Sequence, residues 1–412
     1  MTTQTLKNWH KVRLEEIADF QYGYTASSKE TDTGTKLLRI TDIVPDLIDW
    51  ETVPFCDIDE KEIKQYEIKK GDILIARTGA TAGYAKLIRK QPQKSVFASY
   101  LIRLTMKKAD ADPDYVGRII ESDIFKQFVT THAGGAAQPH ANAPVLKNFE
   151  LSLPDIKTQT EIVDMLSGYD DLIENNTHRI KILEQTAQAI YTEWFMRFRF
   201  PGHEKVKMVD SGTDFGKIPE GWEVKKIREV GKIVTGKTPP TSDASNFGDF
   251  MPFIKTPDMH SSIFCISTNE KLSVQGVETQ KNKIIPRDAI VVSCIGTIGV
   301  VGITTRDSQT NQQINSIIPT QTNIREYLYF VCVNLKSHLK NIGANGATMG
   351  NVNKEKFETI EILSPSNSIL NLFNDMTQEM FDEIKSLSYQ NQNLRQTRDL
   401  LLPKLVTGEI QV

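Results

Sequence analysis

The sequence is poor in cysteine. Its four thiols, Cys56, Cys265, Cys294 and Cys332, stand far apart and form no Cys-x-x-Cys pair. That excludes a disulfide framework and a thiolate zinc site, and fits reduced thiols in a cytoplasmic protein. Long apolar runs are also missing. The longest, "AIVVSCIGTIGVVGI" (289–303), is broken by Ser, Thr and Gly and is too short to span a membrane. The start, "MTTQTLKNWHK", lacks an apolar signal core. The seven histidines form no HxxxH or HExxH pattern. No [ND]PP[YF] motif of adenine methylases is present, no GxGxxG follows a strand, and no Ser/His/Asp set can be picked out. These absences describe a binding protein and not an enzyme.

One nucleotide motif does occur. "GKIVTGKT" (231–238) fits GxxxxGK[ST], but Pro239 and Pro240 follow at once. A phosphate loop needs a helix opening at that Lys and Thr, and a residue before proline is pushed out of the helical region. Lys237 is therefore read as a loop cation.

What is present is an ordinary soluble composition, 39% apolar and 25% charged, over 412 residues, enough for two or three cores. The net charge of −3 argues against a general nucleic-acid binder. Its distribution says more. Residues 69–108 hold ten Lys/Arg against Asp72 alone, whereas 42–62 hold eight acids against Lys61. Residues 216–365 sum to +3, while 155–200 and 366–412 sum to −3 and −2. Basic faces are thus available on two globular stretches, each followed by an acidic one.

The chain repeats itself. At an offset of 213, Trp9, Glu16, Gly23 and Thr25 match Trp222, Glu229, Gly236 and Thr238. At 216, "LLRITDI" (37–43) lies on "FIKTPDM" (253–259), and "GDILIARTGATAG" (71–83) on "RDAIVVSCIGTIG" (287–299), pairing Asp72 with Asp288 and Gly83 with Gly299. At 211, "LEQTAQAIY" (183–191) lies on "LRQTRDLLL" (394–402). Common order and a nearly constant offset define two copies of one unit, each a mixed globular domain followed by a long helix. "DILIA" and "AIVVS" read as buried strands; residues 114–129 and 324–342 each read as one amphipathic helix.

Two heptad seams close the copies. The first runs Ile162, Leu166, Tyr169, Ile173, Asn176, Ile180, Leu183, Ala187, Ile190 and Trp194, and ends at Pro201-Gly202. The second runs Phe373, Thr377, Met380, Ile384, Leu387, Asn391, Leu394, Arg398, Leu401 and Leu405, with Pro403 breaking its last turn. If the helices are antiparallel, paired numbers sum to a constant. Setting Asn176 opposite Asn391 makes that sum 567, which leaves nearly every layer apolar and lets the two amides satisfy each other. The expected fold is α+β: two similar mixed α/β domains and two long antiparallel helices in an intramolecular coiled coil about a pseudo-twofold. The expected segments are domain 1–154, helix 155–200, linker 201–215, domain 216–365 and helix 366–412. About 40 helical residues make a rod of roughly 60 Å, which acts as a ruler.

In order, "SLPDIKTQTEIVDML", "GKIPEGWEVKKIREV", "TNQQINSIIP" and "LLPKLVTGEI" resemble the specificity subunit of type I restriction–modification systems. The likeness covers essentially the whole chain. It implies two target recognition domains, each reading one half of a split asymmetric site in double-stranded DNA. The helices would fix the gap and dock two modification subunits, and restriction subunits with motor and nuclease activity would join them. Methyl transfer from S-adenosylmethionine and the ATP and Mg²⁺ chemistry would belong to those partners, with no cofactor in this chain and no membrane. The rival is a coiled-coil scaffold that binds other proteins.

Amide, hydroxyl and guanidinium groups on loops suit base edges, and Lys suits phosphate. In the first domain these are Arg39, Arg77, Thr78, Gln138, His140 and Asn142, then Ser99, Tyr100, Tyr22 and Tyr24. In the second they are Lys237, Thr238, Lys255, Gln312, Gln313, Thr348, Asn351 and Asn353.

Overall fold

A computed structural model describes residues 9–45, 47–132, 141–260, 262–344 and 350–412. The chain divides into two compact units, residues 1–174 with 394–412, and residues 175–393. The division passes through both long helices, so each unit holds one head and a piece of each helix.

The first head opens with β1 (His10–Arg13), α1 (Leu14–Ile17) and β2 (Ala18–Tyr22). There follow β3 (Lys36–Leu38), α2 (Ile40–Ile43), α3 (Glu60–Tyr66), β4 (Ile73–Ala76), β5 (Ala85–Leu87), β6 (Ser95–Phe97) and β7 (Leu101–Met106). Helices α4 (Pro113–Glu121), α5 (Asp123–His132) and α6 (Ala143–Lys147) precede β8 (Glu150–Leu153). An antiparallel sheet has the order β2-β7-β4-β5, β3 pairs with β6 in parallel, and β1 pairs with β8. Every residue of β4 is buried, as a near-continuous apolar run requires. Long helix α7 (Ile156–Tyr191) then leaves the head.

The second unit adds a hairpin, β9 (Met208–Asp210) with β10 (Lys217–Pro219), and then repeats the plan. Its elements are β11 (Glu223–Lys226), α8 (Ile227–Val230), β12 (Gly231–Thr235), β13 (Phe247–Ile254), β14 (Phe264–Cys265), β15 (Glu270–Leu272) and α9 (Val274–Glu278). They continue with β16 (Ile290–Ser293), β17 (Val301–Thr304), β18 (Gln309–Thr310), β19 (Ile314–Pro319), α10 (Arg325–Asn334), α11 (Lys336–Gly343), α12 (Lys354–Glu358) and β20 (Glu361–Ser364). The sheet β12-β19-β16-β17 reproduces β2-β7-β4-β5, the parallel pair β13–β18 reproduces β3–β6, and β11–β20 reproduces β1–β8. The segment that mimics a phosphate loop is strand β12 paired to β19, with no helix after Gly236.

The two stretches expected as single helices are each broken, at Ser122 between α4 and α5 and at Leu335 between α10 and α11. The Asp72–Asp288 match also fails by one residue. Gly71 N–H donates to Ile88 O and Asp288 N–H to Thr304 O, both at 2.9 Å, so Gly71 and Asp288 are the equivalent pair. Both are left-handed, with φ of +90° and +65°. Asp tolerates that region better than most side chains, and its carboxylate here meets Arg325 at 2.7 Å. The offset is 217 from there to Gly79 and Gly296, and 216 again at Gly83 and Gly299, because three residues separate the first two glycines and two the second.

Helix α13 (Asn367–Val406) contains Pro403 without breaking, and Gly408, at φ +72°, lies two residues past its end. Helix α7 gives way earlier than Pro201: a π-helical turn spans Thr192–Met196, and Phe198 at φ +56° reverses the chain. In the first unit Ile162 and Leu166 share a core with Leu402, Leu405 and Val406. In the second, Trp194 and Phe373 are 5.9 Å apart between ring centroids, and Ile180, Leu183 and Ile190 pack against the core that contains Phe373 and Ile384. Both pairings are antiparallel. Ile173, Leu387, Asn176 and Asn391 are buried as the seam requires, while Leu394 and Leu401 are half-buried.

The reciprocal amide pair does not form. Asn176 Nδ2 donates to Gln390 Oε1 at 3.5 Å, and Asn391 Nδ2 to Thr177 Oγ1 at 3.2 Å. These bonds straddle the expected layer, and Asn391 Oδ1 is left buried without a partner.

Candidate nucleic-acid interface

Backbone geometry gathers the first head's candidates on one rim. Gly23, after β2, lies so close to the next loop that a Cβ would stand 2.2 Å from Ala98 O. Tyr24 N–H donates to Phe97 O at 2.8 Å, which clamps this segment to Ala98, Ser99 and Tyr100. Arg77, after β4, donates its N–H to Tyr100 O at 3.1 Å and accepts from Ala141 N–H at 2.9 Å. Its guanidinium stacks over Tyr22, 5.1 Å from the ring centroid, and reaches Ser99 O at 3.5 Å. Tyr22 Oη accepts from Ala143 N–H at 3.2 Å. Tyr22, Arg77, Thr78, Ser99, Tyr100 and Asn142 are therefore one site, in which Tyr100 is 60% exposed. A half-buried guanidinium over a ring is pre-oriented, and its fork remains able to donate.

The second head builds the same rim. A Cβ on Gly236 would stand 2.1 Å from Asn311 O. Lys237 N–H donates to Thr310 O at 2.9 Å, Cys294 N–H to Gln313 O at 2.7 Å and Val352 N–H to Cys294 O at 2.9 Å, bond for bond the pattern of Tyr24, Arg77 and Ala141. Gln312 Oε1 accepts from Thr238 Oγ1 at 2.5 Å, and Gln313 Oε1 from Asn311 Nδ2 at 3.0 Å. Asn351 bridges to Ile295, and Lys237 is exposed. This rim therefore unites Lys237, Thr238, Gln312, Gln313, Asn351 and Asn353.

Four candidates have local structural work. Asn142 and Asn353 are N-caps, accepting from Val145 N–H at 3.1 Å and Lys356 N–H at 2.9 Å. Arg39 and Lys255 begin the turns after β3 and β13. Their N–H groups donate to Asp42 Oδ2 and Asp258 Oδ2, both at 2.8 Å, so the repeated "TD" and "PD" are capping carboxylates. Arg39 is chelated by Asp42 with two bonds of 3.0 Å, which raises its pKa, and Lys255 Nζ pairs with Glu270. Both cations are already neutralised. Gln138, His140 and Thr348 lie outside the described residues.

The rim also contains Thr235, not singled out in the sequence. It takes the place of Tyr22, and its Oγ1 donates to Asn315 Oδ1 at 2.6 Å. The offset of 213 that aligned Gly23 with Gly236 carries the signal. Among the described residues no cluster of three or more His, Cys, Asp or Glu could hold a metal, and no helix is long and apolar enough to cross a membrane.

The family described as type I restriction modification DNA specificity domain matches this chain twice, over residues 6–185 and 219–400. The chain is 31% identical over 403 residues to the type I restriction enzyme HindI specificity subunit of Haemophilus influenzae, covering 83% of this chain and 87% of that one. It is 26% identical over 424 residues to the MjaIX specificity subunit of Methanocaldococcus jannaschii, covering 98% and 94%. Its fold is similar to the crystal structure of a type I restriction–modification S subunit from M. genitalium, with a TM-score of 0.55 at 13% identity over 98% of each chain.

Proposed function

The chain belongs to the type I restriction modification DNA specificity family, and from that premise we propose that it is the DNA-reading specificity subunit of a type I restriction–modification complex. Each head reads one half of a bipartite asymmetric site. The observation that carries this reading is the pair of rims: the same backbone bonds, built twice, present unlike side chains. Repeated scaffolds with different reading groups suit two different half-sites. In dimeric DNA readers half-site spacing likewise follows protein geometry, at about 34–36 Å per helical turn.

In this reading the helices fix the gap and dock two modification subunits, and restriction subunits complete the assembly. This chain supplies recognition. Methyl transfer from S-adenosylmethionine, and the work driven by ATP with Mg²⁺, fall to the partners.

The test is an exchange of residues 1–154 for the corresponding head of another member of the family, followed by sequencing of methylated DNA. One half of the methylated site should change. A change in both halves would end the division of labour, and a chain whose presence leaves methylation unaltered would end the reading itself.

A further inference from the structure

The internal repeat separates scaffold from readout. Positions that hold the two rims together carry the same chemistry in both units: Gly23 and Gly236 at the close approach, Asn142 and Asn353 at the caps, Asp42 and Asp258 under the turns. Other positions are superposed by identical backbone bonds yet carry unlike side chains. Arg77 takes the place of Cys294, since both donate to the carbonyl of the facing loop and accept from the segment before α6 or α12. Tyr100 takes the place of Gln313, and Ser99 that of Gln312. The first rim therefore presents Arg77, Ser99 and Tyr100, whereas the second presents Gln312 and Gln313 beside a buried Cys294.

We propose that Arg77 and the Gln312–Gln313 pair are specificity determinants, Arg77 reading a guanine in one half-site and the two amides reading an adenine in the other; this rests on the function proposed above. A guanidinium fork matches guanine O6 and N7, and a carboxamide matches adenine N6 and N7. The Tyr22 ring centroid lies 5.1 Å from the Arg77 guanidinium carbon, and this contact holds the fork at the rim. The Gln312 and Gln313 oxygens are anchored by Thr238 and Asn311, which orients both amides; each Nε2 still donates, and each Oε1 keeps a second lone pair. In the first unit Ser99 and Tyr100 offer no amide, and in the second the buried Cys294 offers no cation. Each of these positions therefore carries a group that its counterpart in the other head lacks.

The experiment selects duplexes from a pool of random sequence with the full chain in complex with its modification subunits. Wild type should recover a bipartite site. Arg77→Ala and Arg77→Lys, the second keeping the charge without the fork, should each relax one G·C pair in one half by about 5- to 100-fold. Gln312→Ala/Gln313→Ala should relax one A·T pair in the other half. Thermal melts equal to wild type show that the variants are folded, and the Lys variant guards against loss of packing on Tyr22. Uniform weakening with base preferences intact would overturn the proposal, because the residues would then serve phosphate alone. Relaxation in both halves would overturn it too. If wild type recovers no bipartite site, the functional reading fails first and this inference falls with it.

Discussion

Arg118 of α4 donates to Asp170 of α7 at the two positions where the second unit sets Phe330 of α10 against Phe381 of α13. The phenylalanine rings meet at 87° with centroids 5.8 Å apart. Tyr115 and Tyr327 anchor the comparison, each donating its hydroxyl to the strand before the long helix, at 2.9 Å and 2.7 Å. In each unit this is where the head meets its helix. One joint is ionic and the other aromatic. Asp170 also accepts from Arg398 of α13 at 2.8 Å, where the second unit has Ala187.

Removing the carboxylate from the ionic joint should be costly. Arg118 is 5% exposed, so Asp170→Ala leaves a buried cation without its partner, and about 3–5 kcal/mol of stability should be lost. Burial would raise the Asp170 carboxyl, but Arg89 and Arg118 outweigh it and hold the pKa below the ordinary carboxylate range. A depressed pKa contributes stability above the ordinary carboxylate value and loses it as pH falls through the folded value. The wild-type advantage, read by urea melts across pH, should be full at neutrality and shrink in acid. A gap that is constant with pH would contradict the assignment.

The aromatic joint should answer differently. Phe381→Ala opens a cavity among Phe264, Tyr329 and Phe330 and should cost about 3–5 kcal/mol. The loss should hardly vary with pH or salt, because no charge is involved. A salt-dependent loss would mean that the variant acts elsewhere.

Glu184 of α7 is set against the Ile263 N–H, and burial pushes its carboxyl up to about 7. A raised pKa gives stability that is present below the unfolded value and lost as pH rises through the folded one. Near pH 8 Glu184→Gln should therefore stabilise the chain, by at most roughly 3 kcal/mol. The difference should close in acid, where the carboxyl is protonated in either state. Melting of both proteins across this range checks the sign.

The seam asparagines should be net liabilities. Asn391 Oδ1 is buried and unpartnered, a loss of about 1–3 kcal/mol. Asn176→Leu/Asn391→Leu should raise the melting temperature while weakening the preference for a single register. A lower melting temperature would show that the bonds to Gln390 and Thr177 outweigh the orphaned oxygen.

Periodicity made the fold legible where burial is continuous. The strands around "DILIA" and "AIVVS" and both seams came from apolar spacing, and the matched glycines located the rims. Backbone detail was harder to read. The Asp72–Asp288 identity is coincidental, because the positive φ at Gly71 is taken by an aspartate and no pattern of side chains announces that exchange. The partners of Arg39 and Lys255 were not legible, because a cation on a loop carries no mark of its partner; Asp42 lies three residues on from Arg39, but Glu270 lies fifteen from Lys255. The amide pair failed because heptad spacing gives the layer and not the reach of each side chain within it.

Between Gly79 and Gly83 the first unit carries three residues, and between Gly296 and Gly299 the second carries two, yet the strands on either side keep their register. All four glycines hold left-handed backbone, so each pair forms a hinged bracket that absorbs a change in length. For engineering this is a cassette. In the second unit a graft must keep the core side chain of Ile298 and the Thr297 carbonyl that accepts from Ser293 Oγ, so the exchangeable part of the cassette is its remaining length and sequence.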